Sequence, residues 1–420
     1  MSAIGTVFYI SDCAVDEKGS IDPFMRQELP WLLTHFKRVL MVSHAGVAEL
    51  TGVEVSSLDK VQVEKPKGGL KAWFSGLTSP DVWQELWRML RQGLGSLANV
   101  GKLFLFAVRG YKLHFWLETL LKDCDIREVT LYAYWMNYDA YAGALSKRKH
   151  REVRFVTRGH AFEIDPCRNP LNPYLMKRQI AKEADGLFLI SEYAKTRYLS
   201  YMQAEVPLEK VHVVGVGSQG KAVPLFLPPS FSAAGKLRLV SCAGIVLIKQ
   251  IPLLVDALAA WEGMPLEWLH MGGGSDEEAV RAYAKERLAK KESISYRITG
   301  RMENAEVQKI YQEKSFDLFV NTSRMEGVPV SIMEAMRFGI PIVAPRVGGI
   351  PELVDDTVGI LYAPEEGAEG VRRALETFAE LPEEKTREMR KAAKTRWDTQ
   401  CQCEELLPRI FALKKEGEKL

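Results

Sequence analysis

The chain has no run of about 18 apolar residues, so no segment is expected to span a membrane as a helix. Net charge is also small. The 56 Lys and Arg nearly match the 54 Asp and Glu, which argues against a nucleic-acid binder. Cysteine is scarce. The six are scattered, no Cys-x-x-Cys occurs, and Cys401 and Cys403 are too close in sequence for an ordinary bridge. All six are expected to be reduced, as in a cytoplasmic protein. No basic segment followed by an apolar stretch opens the chain, so no signal peptide is expected. The glycine turn Gly272-Gly273-Gly274 is not a Gly-x-Gly-x-x-Gly fingerprint, which leaves nicotinamide binding there poorly supported.

What is present points to a two-domain α/β protein. A length of 420 residues exceeds what one core usually serves. Short apolar runs alternate with helical patterns. Val7–Ile10, Arg38–Val42, Val129–Tyr134, Arg154–Thr157 and Leu187–Ile190 form one series of strands. Leu237–Ala243, Leu266–Met271, Ser295–Ile298, Leu318–Val320 and Pro341–Ala344 form a second. Such alternation argues a parallel sheet in each half. Residues 215–235 between the series are rich in Gly, Pro and Ser, as a linker is.

The most informative stretch runs from Asn321 to Pro341. Phe316–Val320 predicts a short buried strand. Glu326 and Glu334 follow, eight residues apart, around the turn Gly327-Val328-Pro329. Pro329 suits the first turn of a helix, where its missing N–H would be unpaired anyway. Ile332, Met333 and Met336 recur at helical spacing, and Gly339 and Pro341 stop the helix. The helix N-terminus is a ready anion site. A carboxylate there repels phosphate, so Glu326 is expected to face hydroxyls. Glu334 could reach a second hydroxyl-bearing group, such as a ribose. A site for both sugar and diphosphate is a nucleotide-sugar site.

This segment resembles the Glu-x7-Glu signature of the family 4 glycosyltransferases, retaining enzymes of the GT-B fold. The likeness continues through Val347-Gly348-Gly349-Ile350-Pro351-Glu352 and Gly359-Ile360-Leu361. It implies two Rossmann-like domains facing a central cleft, with the last helix returning to the N-terminal domain. Expected bounds are 1–215 for the acceptor side, 216–232 for the linker, 233–395 for the donor side and 396–420 for the returning helix. Trp397–Leu413 is the candidate for that return.

The resemblance also assigns residues. Lys249 matches the family's diphosphate-binding Lys, but Gly244 stands where an Arg is usual. A lone Lys is more often a surface residue; its place just before a helix favours the site. Gly272-Gly273-Gly274 resembles the glycine turn beside the donor, and Thr299-Gly300-Arg301 the loop whose main chain binds the base. In the first half, Arg158-Gly159-His160-Ala161-Phe162-Glu163 resembles an Arg-x-His-x-x-Asp loop, with Glu163 for Asp. His160 would then lie near the transferred sugar. Asp123-Cys124-Asp125 has a metal-binding form but no supporting context, and no metal or cofactor is expected.

Residues 60–116 stand apart. They hold nine Lys and Arg against three Asp and Glu, with Trp73, Phe74, Trp83, Trp87, Phe104, Phe106 and Trp116 among them. Basic residues interleaved with aromatics suit an anionic membrane surface. Packing of the aromatics in the core explains them equally well.

The expected function is transfer of a sugar from a nucleotide-diphosphate sugar to a glycan or lipid-linked glycan acceptor. It would serve cell-surface polysaccharide biosynthesis, in the cytoplasm or at the inner face of the plasma membrane. An epimerase on the same fold and a catalytically silent scaffold stay open as alternatives.

Overall fold

The computed structural model describes residues 4–11, 21–42, 61–67, 69–166, 170, 171, 174–202, 205–218, 220 and 222–411. Cys13, Cys167, Lys60, Gln219, Lys221 and Leu413, named in the expectations above or within their bounds, lie outside this set. The chain divides into two units, Met1–Gly215 with Leu406–Leu420, and Val216–Glu405.

In the first unit the chain runs β1 (Ile4–Ile10), α1 (Pro23–His35), β2 (Phe36–Val42) and β3 (Val61–Glu64). Three helices follow: α2 (Leu70–Thr78), α3 (Pro80–Arg91) and α4 (Leu97–Leu121). Next come β4 (Val129–Ala133), α5 (Tyr138–Lys149), β5 (Arg154–Gly159), α6 (Ala161–Ile164) and α7 (Lys177–Glu183). β6 (Gly186–Leu189), α8 (Glu192–Met202) and β7 (Val211–Val213) complete the sheet. Its order is β3-β2-β1-β4-β5-β6-β7, with every pairing parallel. All residues of β4, β5 and β6 are buried, as strands covered on both faces must be. Local chemistry sets the helix ends. Ser96 caps α4 by accepting from Asn99 N, and Asn137 caps α5 by accepting from Asp139 N. Lys147, Arg148 and Lys149 then complement the dipole at the end of α5.

The second unit holds α9 (Phe231–Ala234), β8 (Leu237–Cys242), α10 (Ile251–Ala259), β9 (Leu266–Met271) and α11 (Glu277–Leu288). β10 (Ile294–Ile298), α12 (Asn304–Glu313), β11 (Leu318–Val320) and α13 (Val330–Arg337) follow. β12 (Ile342–Pro345), α14 (Ile350–Leu353), β13 (Gly359–Tyr362), α15 (Gly367–Ala379) and α16 (Glu383–Gln400) come next, and α17 (Cys403–Phe411) crosses into the first unit. The sheet order is β10-β9-β8-β11-β12-β13, again parallel throughout. Leu239, Trp268, Leu318, Val320 and Val343 form its buried core with Leu254 and Leu375.

Three details differ from the sequence-based expectation. β11 spans Leu318–Val320 and does not reach back to Phe316, the longer of its two expected extents; Phe316 and Asp317 are engaged by Arg390, and Asp317 also by Arg238. Pro329 sits one residue before α13, with ψ 113°, and so caps the helix from outside its first turn. Trp397 belongs to α16 in the second unit, where its Nε1 donates to Ser218. The segment grouped with the first unit starts at Leu406. There Phe411 lies against Trp31, Phe36 and Tyr132, and Arg154 donates to the carbonyls of Ile410 and Phe411.

The aromatics of residues 60–116 divide. Phe106 is buried, whereas Trp73, Phe74, Trp83 and Trp87 are exposed. Cys124, Cys242, Cys401 and Cys403 form no disulfide. Asp125 caps the turn Ile126–Glu128 by accepting from Arg127 N.

Candidate active site

In an open parallel sheet, ligands bind beyond the carboxyl ends of the strands where the order reverses. In the second unit that point lies between β8 and β11, and the loops leaving those two strands carry Lys249 and Glu326. The topology thus joins residues far apart in sequence. Lys249 Nζ lies 2.5 Å from Glu326 Oε1. The two loops also hold each other through main chain: Thr322 Oγ1 donates to the Lys249 carbonyl (2.9 Å) and Arg324 N to that of Ile248 (2.8 Å). Asn321 Oδ1 accepts from Ser323 N and turns the chain just after β11.

Glycines make the floor of this region. Gly272 has φ +137°, and a Cβ there would meet the Ala243 carbonyl oxygen at 2.0 Å. Ile245 N donates to Gly273 O, and a Cβ on Gly274 would meet Ile245 O at 2.2 Å. Gly300 is bridged to Gly272, and Arg301 follows, exposed. Three loops are therefore packed backbone against backbone. Gly244 differs. Only Gly273 O lies near its would-be Cβ, at 3.7 Å, so a side chain has room there.

Glu326 and Gly327 are backed by the turn after β12. Gly348 has φ +54°, and a Cβ there would meet the Glu326 carbonyl oxygen at 1.8 Å; Gly349 N donates to Gly327 O. Val328 is half-buried and Pro329 buried. Glu334 lies within α13 at 4% exposure, with Asn304 Nδ2 donating to its Oε1 at 2.6 Å. Burial raises the Glu334 pKa above the usual carboxylate range, and hydrogen bonds from Asn304 and Gln308 oppose the rise. Cys242 lies within electrostatic reach of both Glu334 and Lys249.

His160 belongs to the first unit. There the order reverses between β1 and β4. The loop after β4 carries Tyr134 and Trp135, whose rings lie 4.8 and 4.3 Å from that of His160. Neither His160 ring nitrogen has a hydrogen-bond partner among the described residues, although the ring is only 8% exposed. Glu163, in the position of the family's Asp, has Oε1 3.5 Å from His160 Nδ1 and accepts from Met136 N. Lys177 donates to Met136 O from the other side, and burial lowers its pKa to about 8.

Sequence reasoning missed several of these groups. Glu28 pairs with Arg158 and accepts from Tyr9 and Tyr132, but a lone Glu inside a helical pattern carries no signal. Asn304 and Lys177 were equally silent. Arg324 was legible, standing two residues before Glu326, and its exposed side chain makes no ion pair among the described residues.

Residues 230–396 match the family model of the group 1 glycosyl transferases. Over this segment the chain is similar to that family. Two relatives extend the likeness. A protein named as a colanic acid biosynthesis glycosyltransferase, WcaL of Escherichia coli strain K12, is 26% identical over 54% of this chain and 56% of its own length. The amylovoran biosynthesis glycosyltransferase AmsK of Erwinia amylovora is 26% identical over 40% of this chain and 42% of its own. The chain spans about half the length of these relatives. Among solved structures, Anabaena Alr3699/HepE in complex with UDP-glucose matches with TM-score 0.64 at 15% identity, over 97% of this chain and 98% of that one. Likeness at that identity is one of fold. The fold is GT-B, as expected from the sequence.

Proposed function

We propose that this protein is a retaining glycosyltransferase that moves a sugar from a nucleotide-diphosphate sugar to a glycan or lipid-linked glycan acceptor. The carrying observation is the Lys249–Glu326 pair beside the glycine floor, at the reversal point of the sheet. Glycines let a diphosphate approach the main chain closely. Lys249 neutralises that diphosphate as a point charge. Glu326, released from Lys249, accepts from sugar hydroxyls, and Glu334 with Asn304 takes the ribose. The main chain of Gly273, Gly274, Gly300 and Arg301 holds the nucleotide side. Arg324 supplies the second positive charge that Gly244 lacks. Within the first unit, His160 has no hydrogen-bond partner on either ring nitrogen among the described residues, so its ring is available to a hydroxyl there.

Retention follows a front-face course. The bond from the anomeric carbon to the diphosphate oxygen breaks as the acceptor oxygen bonds to the same face. The acceptor proton passes to the departing phosphate oxygen. Lys249 stabilises the charge that grows on the leaving group, an interaction stronger in the transition state than before it. The relatives named for colanic acid and amylovoran biosynthesis support a role in surface polysaccharide assembly.

A thermal-shift panel of nucleotide sugars tests this, starting with UDP-glucose because the matched Anabaena structure holds it. Stabilisation by a nucleotide sugar, lost in Lys249→Ala, is expected. No shift with any donor would leave a silent scaffold, and isomerised donor without an acceptor would make the protein an epimerase.

A further inference from the structure

Helices α2 and α3 present a surface that the proposed reaction does not use. Few of their residues are buried: Ala72 and Gly76 on α2, Val82, Glu85 and Met89 on α3. Their outward faces are apolar. Leu70, Trp73, Phe74 and Leu77 recur along one side of α2 and are 49–90% exposed. Trp83, Trp87 and Leu90 repeat the pattern on α3 at 53–54%. The stripes are joined, because Trp83 Nε1 donates to the Leu77 carbonyl at 2.8 Å. The Trp83 ring also meets Phe104 of α4 at 5.7 Å. Scattered exposed apolar residues are ordinary; a contiguous set of large ones marks an interaction surface.

Charge identifies the occupant. Lys71, Arg91 and Lys102 are exposed on the same three helices. Lys71 lies over the Phe115 ring at 4.3 Å, and Arg91 over that of Trp87. Between Leu70 and Leu105 the only carboxylates are Asp81 and Glu85. Neither serves the outer face: Asp81 pairs with Arg148, and Glu85 is 1% exposed beside Arg88. A second copy of this surface would set like charges together. A bilayer with anionic headgroups offers apolar depth and negative charge at once, and Trp rings favour the headgroup level.

We infer that α2 and α3 dock this protein on the surface of an anionic bilayer, with Trp73, Phe74 and Trp87 in the headgroup layer. Among the described residues no helix is long and apolar enough to cross a membrane, so the contact is with one leaflet. The inference stands apart from the proposed reaction: vesicle binding is measured without donor or acceptor.

The test is co-sedimentation of the full chain with vesicles of one part phosphatidylglycerol to two parts phosphatidylcholine, and of phosphatidylcholine alone. Wild type is expected to sediment with the anionic vesicles and at least about tenfold less with the neutral ones, since each basic residue near such a surface adds about a fivefold preference. Added salt at about 0.5 M should release much of it by screening the exposed charges. The triple variant Trp73→Ser/Phe74→Ser/Trp87→Ser and the triple variant Lys71→Glu/Arg91→Glu/Lys102→Glu should each lose binding with unchanged circular dichroism. Wild type that ignores anionic vesicles, or folded variants that bind as wild type does, would overturn the proposal. So would sedimentation equilibrium showing a wild-type dimer that the tryptophan variant dissolves, without vesicle binding; the surface would then belong to a second copy.

Discussion

Lys249 is partly exposed, but its partner Glu326 is only 6% exposed. Removing the lysine leaves a buried carboxylate without its cation, which costs about 1–3 kcal/mol. Lys249→Ala should therefore lower the stability of the second unit by that amount as well as slow turnover. Lys249→Ala/Glu326→Ala should recover part of the stability and none of the turnover. Denaturant titration of the four proteins in this cycle checks it, and additive effects would deny the coupling. Glu334 gives a pH signature. Because burial raises its folded pKa, its protonated form stabilises the fold fully below the unfolded value of about 4.3. That contribution is lost as pH rises through the folded value. Glu334→Gln should thus gain stability relative to wild type as pH rises above the unfolded value, while weakening donor binding through loss of the acceptor's charge. A constant difference in melting temperature over that rise would contradict the burial argument.

The glycines of the β8 and β9 loops differ in what surrounds them. Gly274→Ala pushes a methyl to 2.2 Å from Ile245 O, a main-chain atom that cannot yield cheaply. Gly244→Ala meets nothing closer than 3.7 Å. The first should abolish donor-induced stabilisation and the second should leave it intact; equal behaviour of the two in thermal shift would remove the glycine floor from the site. Gly244→Arg fits the same open space, so its outcome reports on chemistry and not on strain. If Arg324 already supplies the second cation, Gly244→Arg should rescue the donor affinity lost in Arg324→Ala. Absence of rescue in a folded double variant would deny the exchange.

At the scale of the molecule, the first unit is completed by the far end of the chain. Phe411 is 7% exposed against Trp31, Phe36 and Tyr132, with ring centroids 5.3 Å away in each case. Phe411→Ala deletes a buried ring, a change that costs about 3–5 kcal/mol where the site cannot collapse. Calorimetry should show the loss in the transition of the first unit. The donor-stabilised transition of the second unit should hardly move, and an equal fall in both would mean that the units unfold as one.

The strand-and-helix alternation, the Glu326–Glu334 spacing and the glycine turns were legible in the sequence because each is a local signal. Period, turn chemistry and helix stops depend on neighbours a few residues away. The helix stop shows this: Gly339 takes φ +64° and Ile340 N returns to Ala335 O. Local reasoning does not see that Arg390, 74 residues on, donates to the Phe316 carbonyl just before β11. The tertiary structure alone decided which residues meet. It brought Lys249 to Glu326 across 77 residues, set Asn304 on Glu334, and paired Arg158 with Glu28 across 130. It also decided that Trp73, Phe74, Trp83 and Trp87 face outward while Phe106 packs inside. Composition cannot separate those cases, because an aromatic on a helix is buried or exposed according to which face finds a neighbour, and strand order in the sheet assigns the neighbours.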